Sequence, residues 1–308
     1  MNVLVFGGTG WLGHRIALKF EKAGYTVKIA SRGKKNKFSA AVAHLKHYMV
    51  DKNDKTALNA VLDDAACSII IDSVPEVDVI KSLAERQDIQ HYIHCSSTGG
   101  YTPLTRIPGN ETLPCKGYPH GGGWTQKAQV DDLVMELFRS QKFPGTVLRP
   151  CCILGSGMMP IENLGGRDPE FIKQLLNEET IDLADGGLAL IQPIWLDDLA
   201  QSFVAAAKHP QAAAGEIFNV TADYSVTFRR YCEIGAETLR RKLYFSSLTL
   251  DEMLEKYAGK CNEVGMRFLA EHMCFDNSKI KALLQWQPEF SPEAAIAGTF
   301  KAALEELK

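Results

Sequence analysis

The sequence predicts an α/β chain built on a doubly wound parallel sheet, with a smaller α/β lobe contributed by its C-terminal half. Three observations predict it. Through residue 150, short and nearly continuous apolar runs alternate with amphipathic stretches, as expected of strands covered on both faces by crossover helices. A glycine-rich turn, GGTGWLG at 7–13, joins the first apolar run to the first amphipathic one. Beyond Pro150 the regular alternation gives way to longer irregular and helical segments.

In chain order, NVLVFG reads as a strand, WLGHRIALKFEKAGY as an amphipathic helix, and TVKIAS and HYMVD as strands. KTALNAVLDDA is expected as a helix, CSIIIDSV as a strand, EVDVIKSLAERQ as a helix and HYIHCSS as a strand. WTQKAQVDDLVMELFRSQ carries apolar residues at Val130, Leu133, Val134 and Leu137, which is helical spacing, and GTVLRPCCILG returns to a strand. Residues 156 to 192 are glycine-rich and irregular apart from a short helix, FIKQLLNEE. QPIWLDDLAQSFVAAAKHP supplies a strand end and a helix whose start is marked by Asp197 and Asp198, acids favoured near the positive end of a helix and read as its cap and the cap's neighbour. GEIFNVT reads as a strand and residues 225 to 275 as mostly helical. SPEAAIAGTFKAALEELK reads as a final helix opened by Ser291 and Pro292.

The bulk properties exclude several classes. A chain of 308 residues, 45% hydrophobic, can bury one large core or two unequal lobes. A net charge of -3 weighs against nucleic-acid binding by neutralisation of many phosphates. The eight cysteines are scattered without a CxxC pair, and His272 has no HExxH context, so neither a disulfide frame nor a metal site is expected. Reduced, buried thiols, no apolar run near 18 residues and an N-terminus that enters a strand directly lead us to expect a soluble cytoplasmic protein.

GGTGWLG places Gly7, Gly10 and Gly13 at GxxGxxG spacing between a strand and a helix. There the backbone can approach a pyrophosphate, which rests on unpaired N–H groups at the helix start. We therefore expect dinucleotide binding, with Thr9, Trp11 and Leu12 in the same turn, and a Rossmann sheet. The division is then residues 1 to 150 for the dinucleotide and 151 to 308 mainly for substrate, with about 190 to 220 returning to the sheet.

The turn resembles the fingerprint of the extended short-chain dehydrogenase/reductases, the NAD(P)-dependent epimerase and dehydratase group. Spaced landmarks extend the resemblance over most of the chain: Asp51, HCSSTGGY, VLRPCCILG, PIWLDDLA, GEIFNVT and FDNSKIKALLQWQPEFS. The second strand ends IASRGKKNK, with Ser31 where an NAD site presents an acid and Arg32 next to it. NADP(H) is favoured, with NAD(H) as the alternative. The resemblance puts Asp51 near the adenine amino group, or else in a turn or helix cap. It puts Ser73, Val74 and Pro75 beside the adenosine ribose, and Pro150 and Cys151 toward the nicotinamide. Cys151 and Cys152 themselves read as packing thiols.

In the resembled family a Ser or Thr, a Tyr and a Lys surround the nicotinamide. Here Ser97 takes the hydroxyl role, with Ser96 or Thr98 one register away, and Lys127 the lysine role. The tyrosine four residues before Lys127 is replaced by Gly123. Tyr101 is the substitute acid we single out, with Tyr118 and His120 as others, and Trp124 as a filler of the emptied space. Arg229 and Arg240, eleven residues apart, would share a helical face that could meet a phosphate. The implied function is an epimerase, dehydratase or reductase acting on a hydroxyl or keto group of a nucleotide sugar. The alternative is a non-catalytic, cofactor-sensing or RNA-binding member. The resemblance also implies a homodimer formed through the helix of Lys127 and the helix before it.

Overall fold

The computed structural model describes residues 1–308. Its first half is a regular alternation. β1 (Asn2–Phe6) leads into α1 (Trp11–Lys22), followed by β2 (Thr26–Ser31), β3 (Lys46–Met49) and α2 (Lys55–Ala65). Then come β4 (Ile69–Asp72), α3 (Val77–Ala84), β5 (His91–Cys95), α4 (Trp124–Gln141) and β6 (Gly145–Pro150). The order β3-β2-β1-β4-β5-β6 reverses at β1, and β11 (Ile217–Val220) completes a seven-stranded parallel sheet beside β6. This is the doubly wound Rossmann architecture.

Alternation along β1 builds the two faces. Val3 and Val5 pack with Ile16 and Phe20 of α1 and with Phe203 of α6 (Leu196–Lys208). Leu4 and Phe6 point the other way, toward Leu58 and Leu62 of α2, Ile80 and Leu83 of α3 and Val134 of α4. A strand buried on both sides needs no polar alternation, which is why these runs are continuously apolar.

The second half forms its own core. β7 (Ile153–Leu154), α5 (Glu170–Leu176), β8 (Thr180–Ala184), β9 (Leu190–Ile191) and β10 (Ile194–Trp195) precede α6, and the short α7 (Pro210–Ala213) follows it. After β11 come β12 (Val226–Thr227), α8 (Phe228–Thr238), β13 (Tyr244–Leu248), α9 (Leu250–Lys256), α10 (Glu263–Leu269), α11 (Ser278–Leu284) and α12 (Pro292–Glu306). Phe171, Leu183, Tyr231 and Phe300 meet at the centre of this lobe. Ser291 caps α12 through the Ala294 amide, with Pro292 at its first position, as the sequence suggests.

Four expectations change. Residues 225 to 275 are not mostly helical: β13 pairs with β8, and both are missing from the sequence reading because they pair only with each other, β13 is largely exposed, and Asp182 interrupts the buried Ile181 and Leu183 of β8. Arg229 and Arg240 do not share a helical face. α8 ends at Thr238, Arg240 adopts φ 58°, and Arg229 lies over the ring of Phe245. Neither Asp197 nor Asp198 caps α6, whose cap is Trp195. Asp197 lies within reach of Arg15 and Lys19, and Asp198 accepts from the Phe290 amide. All eight cysteines are free, but four of them, including Cys152, are only half-buried.

Candidate functional site

The turn between β1 and α1 is fixed by its glycines. Gly7 has φ 71°, and a Cβ there would lie 2.6 Å from Ser73 Oγ. A Cβ on Gly13 would stand 2.0 Å from the Gly7 carbonyl oxygen, so helix and turn touch only because that side chain is missing. The Gly10 amide donates to this same carbonyl at 2.8 Å. Gly10 offers no capping side chain, α1 has no acid in its first turn, and the amides of Trp11, Leu12 and Gly13 find no acceptor in the protein. Free N–H groups on the positive end of a twelve-residue helix make an anion seat.

From this seat a cavity of about 420 Å³ extends along the ends of β2 and β4. Ser31, Arg32, Asp51, Ser73 and Val74 line it together with Thr9 and the three glycines. Ser31 Oγ accepts from Thr9 Oγ1 at 3.2 Å and lies 2.9 Å from His47 Nε2. Arg32 is exposed and makes no salt bridge. Asp51 accepts from the Asn53 amide, and the cap of α2 is Asp54 instead. Pro75 is not part of the wall. The sequence reading did not place Lys34, Lys52 or Asp72 in the site, yet all three line this cavity. Asp72 is sealed from solvent, and Lys52 Nζ reaches its carboxylate oxygens at 2.8 and 2.9 Å and also bonds the Val74 carbonyl. The only sequence signal for this pair is an acid ending an otherwise apolar strand.

Trp11, Leu12 and Ser73 are shared with a second cavity of about 830 Å³ between the sheet and the C-terminal lobe. Ser97 and Lys127 both line it, as do Pro150 and Cys151. Among the three hydroxyls at the end of β5, Ser97 alone is half-exposed. Ser96 Oγ turns inward to Asp131 Oδ2 at 2.7 Å, and Thr98 Oγ1 donates to the Pro150 carbonyl. Ser97 Oγ accepts from the Gly99 amide, which caps the turn Thr98–Tyr101. Lys127 Nζ, in the first turn of α4, lies 3.5 Å from the Ser96 carbonyl.

None of the three substitute acids reaches this cavity. Tyr101 is buried outside its wall, and its hydroxyl accepts from Arg149 at 2.5 Å. Burial pushes its pKa upward, against the pull of Arg149. Tyr118 is also buried, with its pKa raised to about 12 by desolvation, and His120 is exposed at the edge of the Tyr118 ring. Gly123 caps α4 with φ 76°, a left-handed conformation that side chains resist. The space is bordered by Trp124, whose indole stacks on Phe268 of α10 at 4.3 Å. That ring fits because Gly99 and Gly122 are bare: a Cβ on either would come within 2.2 or 2.0 Å of it. The cavity wall carries two cations, Lys127 and Arg167, and no Asp or Glu. No group of three or more His, Cys, Asp or Glu side chains is arranged to hold a metal, and no helix is long and apolar enough to cross a membrane.

The profile of the NAD dependent epimerase/dehydratase family matches residues 3–82 and 76–221. UDP-glucose 4-epimerase of Thermotoga maritima, solved with UDP-glucose, superposes over 100% of both chains with TM-score 0.77 at 15% identity. dTDP-glucose 4,6-dehydratase of Bacillus anthracis, solved with NAD, covers 99% of this chain and 97% of its own, with TM-score 0.78 at 16% identity. In sequence, the chloroplast stem-loop binding protein of 41 kDa b from Arabidopsis thaliana is 23% identical over 94% of this chain and 75% of its own length.

Proposed function

The chain belongs to the NAD dependent epimerase/dehydratase family, and from that premise we propose that it binds NADP(H) and acts on a hydroxyl or keto group of a nucleotide sugar. A single observation carries the proposal: the anion seat at Gly7, Gly10 and Gly13 opens through Trp11 and Leu12 into the cavity that Ser97 and Lys127 both line. The seat fits a dinucleotide diphosphate, because the close Gly13 contact leaves three amides free at the helix end. Bound nicotinamide would supply hydride acceptance or donation.

The chain's own residues would do the rest. Arg32, with Lys34 beside it, would hold a ribose phosphate, while Ser31 in place of an acid leaves that phosphate unopposed. Lys127 would hold the nicotinamide ribose, and Ser97 Oγ would orient the reacting oxygen of the substrate. With glycine at position 123, the proton would pass through Ser97, through Lys127, or through a second hydroxyl of the substrate. Support for a nucleotide sugar comes from the related folds solved with UDP-glucose and UDP-glucuronic acid.

The test is turnover against a panel of UDP- and dTDP-sugars with protein loaded with NADP+ for hydroxyl substrates and with NADPH for keto substrates. Lys127→Ala and Ser97→Ala should each lower it by at least about 100-fold while NADPH stays bound to Ser97→Ala. Undiminished turnover in both variants rejects the assignment. A second reading, RNA binding without catalysis, is favoured by the name of the Arabidopsis relative and opposed by the net charge of -3. Salt-sensitive stem-loop RNA binding that survives Lys127→Ala, in a protein that turns over none of the sugars, would select it.

A further inference from the structure

We propose that Cys151, Cys152 and Met273 form a site for a soft monovalent metal ion of the copper(I) type in the wall of the second cavity. The inference holds whatever that cavity takes as substrate. It starts from the donors present: the side chains of Cys95, Cys151, Cys152, Met158 and Met273 line the cavity, and no His, Asp or Glu does. Such a wall offers sulfur as its soft donor and no imidazole or carboxylate.

Three of these sulfur side chains converge. Cys152 Sγ lies 3.3 Å from Met273 Sδ, across 121 residues of sequence. Neighbouring residues of an extended chain point to opposite sides. Cys152 cancels that alternation with φ 38°, a left-handed conformation that side chains resist, and both cysteines line the same cavity. The nearness of the Cys151 thiol is the first cause that pushes the Cys152 thiol above its ordinary value, and burial is the second. The backbone holds the arrangement in place. The Ile194 amide donates to the Cys152 carbonyl at 3.3 Å and the Met273 amide to the Leu190 carbonyl at 2.8 Å, so both segments are pinned to the stretch from β9 to β10.

Charge and ligand type select the ion. Each thiol releases its proton to solvent as it binds metal, so one copper(I) ion held by two thiolates and a neutral thioether is an anionic complex. The wall is prepared for an anion, because its charged residues are the cations Lys127 and Arg167. Arg167 donates to the Met159 carbonyl at 2.6 Å and to the Ile153 carbonyl at 2.8 Å, and its charge favours the Cys152 thiolate. Zinc fits poorly, since its sites are closed by Cys, His and carboxylates, and no group of three such residues is arranged here. Thiolate with thioether suits copper(I).

The experiment is anaerobic titration of the full chain with copper(I) supplied as its complex with a coloured chelator. It compares wild type, Cys152→Ser, Met273→Leu and Cys261→Ser, the last a half-buried thiol outside the cavity. Wild type should withdraw a single ion per chain. Cys152→Ser should lower the affinity at least about 100-fold and Met273→Leu, which keeps the volume, at least about tenfold, since even the partners behind a metal's ligands are worth that order. Cys261→Ser should match wild type. X-ray absorption of the loaded wild type should show sulfur neighbours alone around copper. The assignment is overturned by a wild type that takes no copper(I) from the chelator, by Cys152→Ser or Met273→Leu within about twofold of wild type, or by nitrogen or oxygen bound to the metal. Equal loss in Cys261→Ser would mean adventitious capture by scattered thiols and overturns it too. Should Cys152→Ser fail to fold, Cys151→Ser reads the same loss, and the absorption spectrum needs no variant.

Discussion

Arg149 Nε donates to Asp131 Oδ2 at 2.8 Å, with both side chains sealed from solvent directly behind the strand end that bears Ser97. The same oxygen accepts from Ser96 Oγ at 2.7 Å, and Arg149 NH1 donates to Tyr101. Asp131 stands one helical turn beyond Lys127 on α4. A buried, hydrogen-bonded ion pair therefore ties α4, β5 and β6 together beneath the candidate site.

Removing one partner of that pair leaves a buried charge unopposed. Asp131→Ala is expected to lower stability by about 3–5 kcal/mol, read by chemical denaturation. Replacing both partners, in Asp131→Leu with Arg149→Met, should restore part of the loss, since it removes the orphaned charge. A single variant as stable as wild type would show that the pair is not what holds the three elements.

The glycine contact at the start of α1 yields a second expectation. Gly13→Ala puts a methyl 2.0 Å from a carbonyl that cannot move away without opening the turn. NADPH affinity measured by calorimetry should fall at least about tenfold, with far-UV circular dichroism of the variant recorded alongside. Affinity equal to wild type would mean that the seat is not where the diphosphate rests.

Cofactor choice rests on Ser31 and Arg32. Arg32→Ala should weaken NADPH by about 10- to 100-fold and leave NADH nearly unchanged. Ser31→Asp should move the preference toward NADH, because a carboxylate there repels a ribose phosphate and grips ribose hydroxyls. Equal effects of Arg32→Ala on both cofactors would place the arginine outside the phosphate pocket.

Two buried histidines on β5 set an acid limit. Burial pushes His91 down to about 4 and His94 to about 3, in the latter case against the attraction of Asp72. In the unfolded chain histidine titrates near 6.5, so below that pH the unfolded state takes up protons that the folded state refuses. The stability these residues contribute is complete above about pH 6.5 and is lost as pH falls toward 4, at up to about 1.4 kcal/mol per pH unit for each. Urea unfolding at about pH 7.5, 6 and 5 measures the slope, and His91→Gln should reduce it. A stability flat across that range would mean that neither histidine is held neutral.

The legible part of the molecule is the part written locally. The cradle is a run of seven residues, and Ser97 and Lys127 each follow from position at a strand end or helix start. Lys52 with Asp72, and Arg167 with its two carbonyls, were not legible. Their partners lie 20, 14 and 8 residues away along loops whose path depends on packing. Tyr101 shows the opposite error. A tyrosine just past the strand end that bears Ser97 reads as an available acid, yet the fold turns its hydroxyl toward Arg149 and away from the cavity. The strand β13 escaped notice for a related reason, since Tyr244 and Phe245 are exposed and follow no buried pattern.

The stacked rings of Trp124 and Phe268 belong to different halves of the molecule, one to the helix beside the sheet and the other to the lobe above it. Any change in the spacing of the two halves would alter the contact between these rings. The indole is thus an optical gauge mounted on the gap, and its emission should report the width of the opening without an added dye.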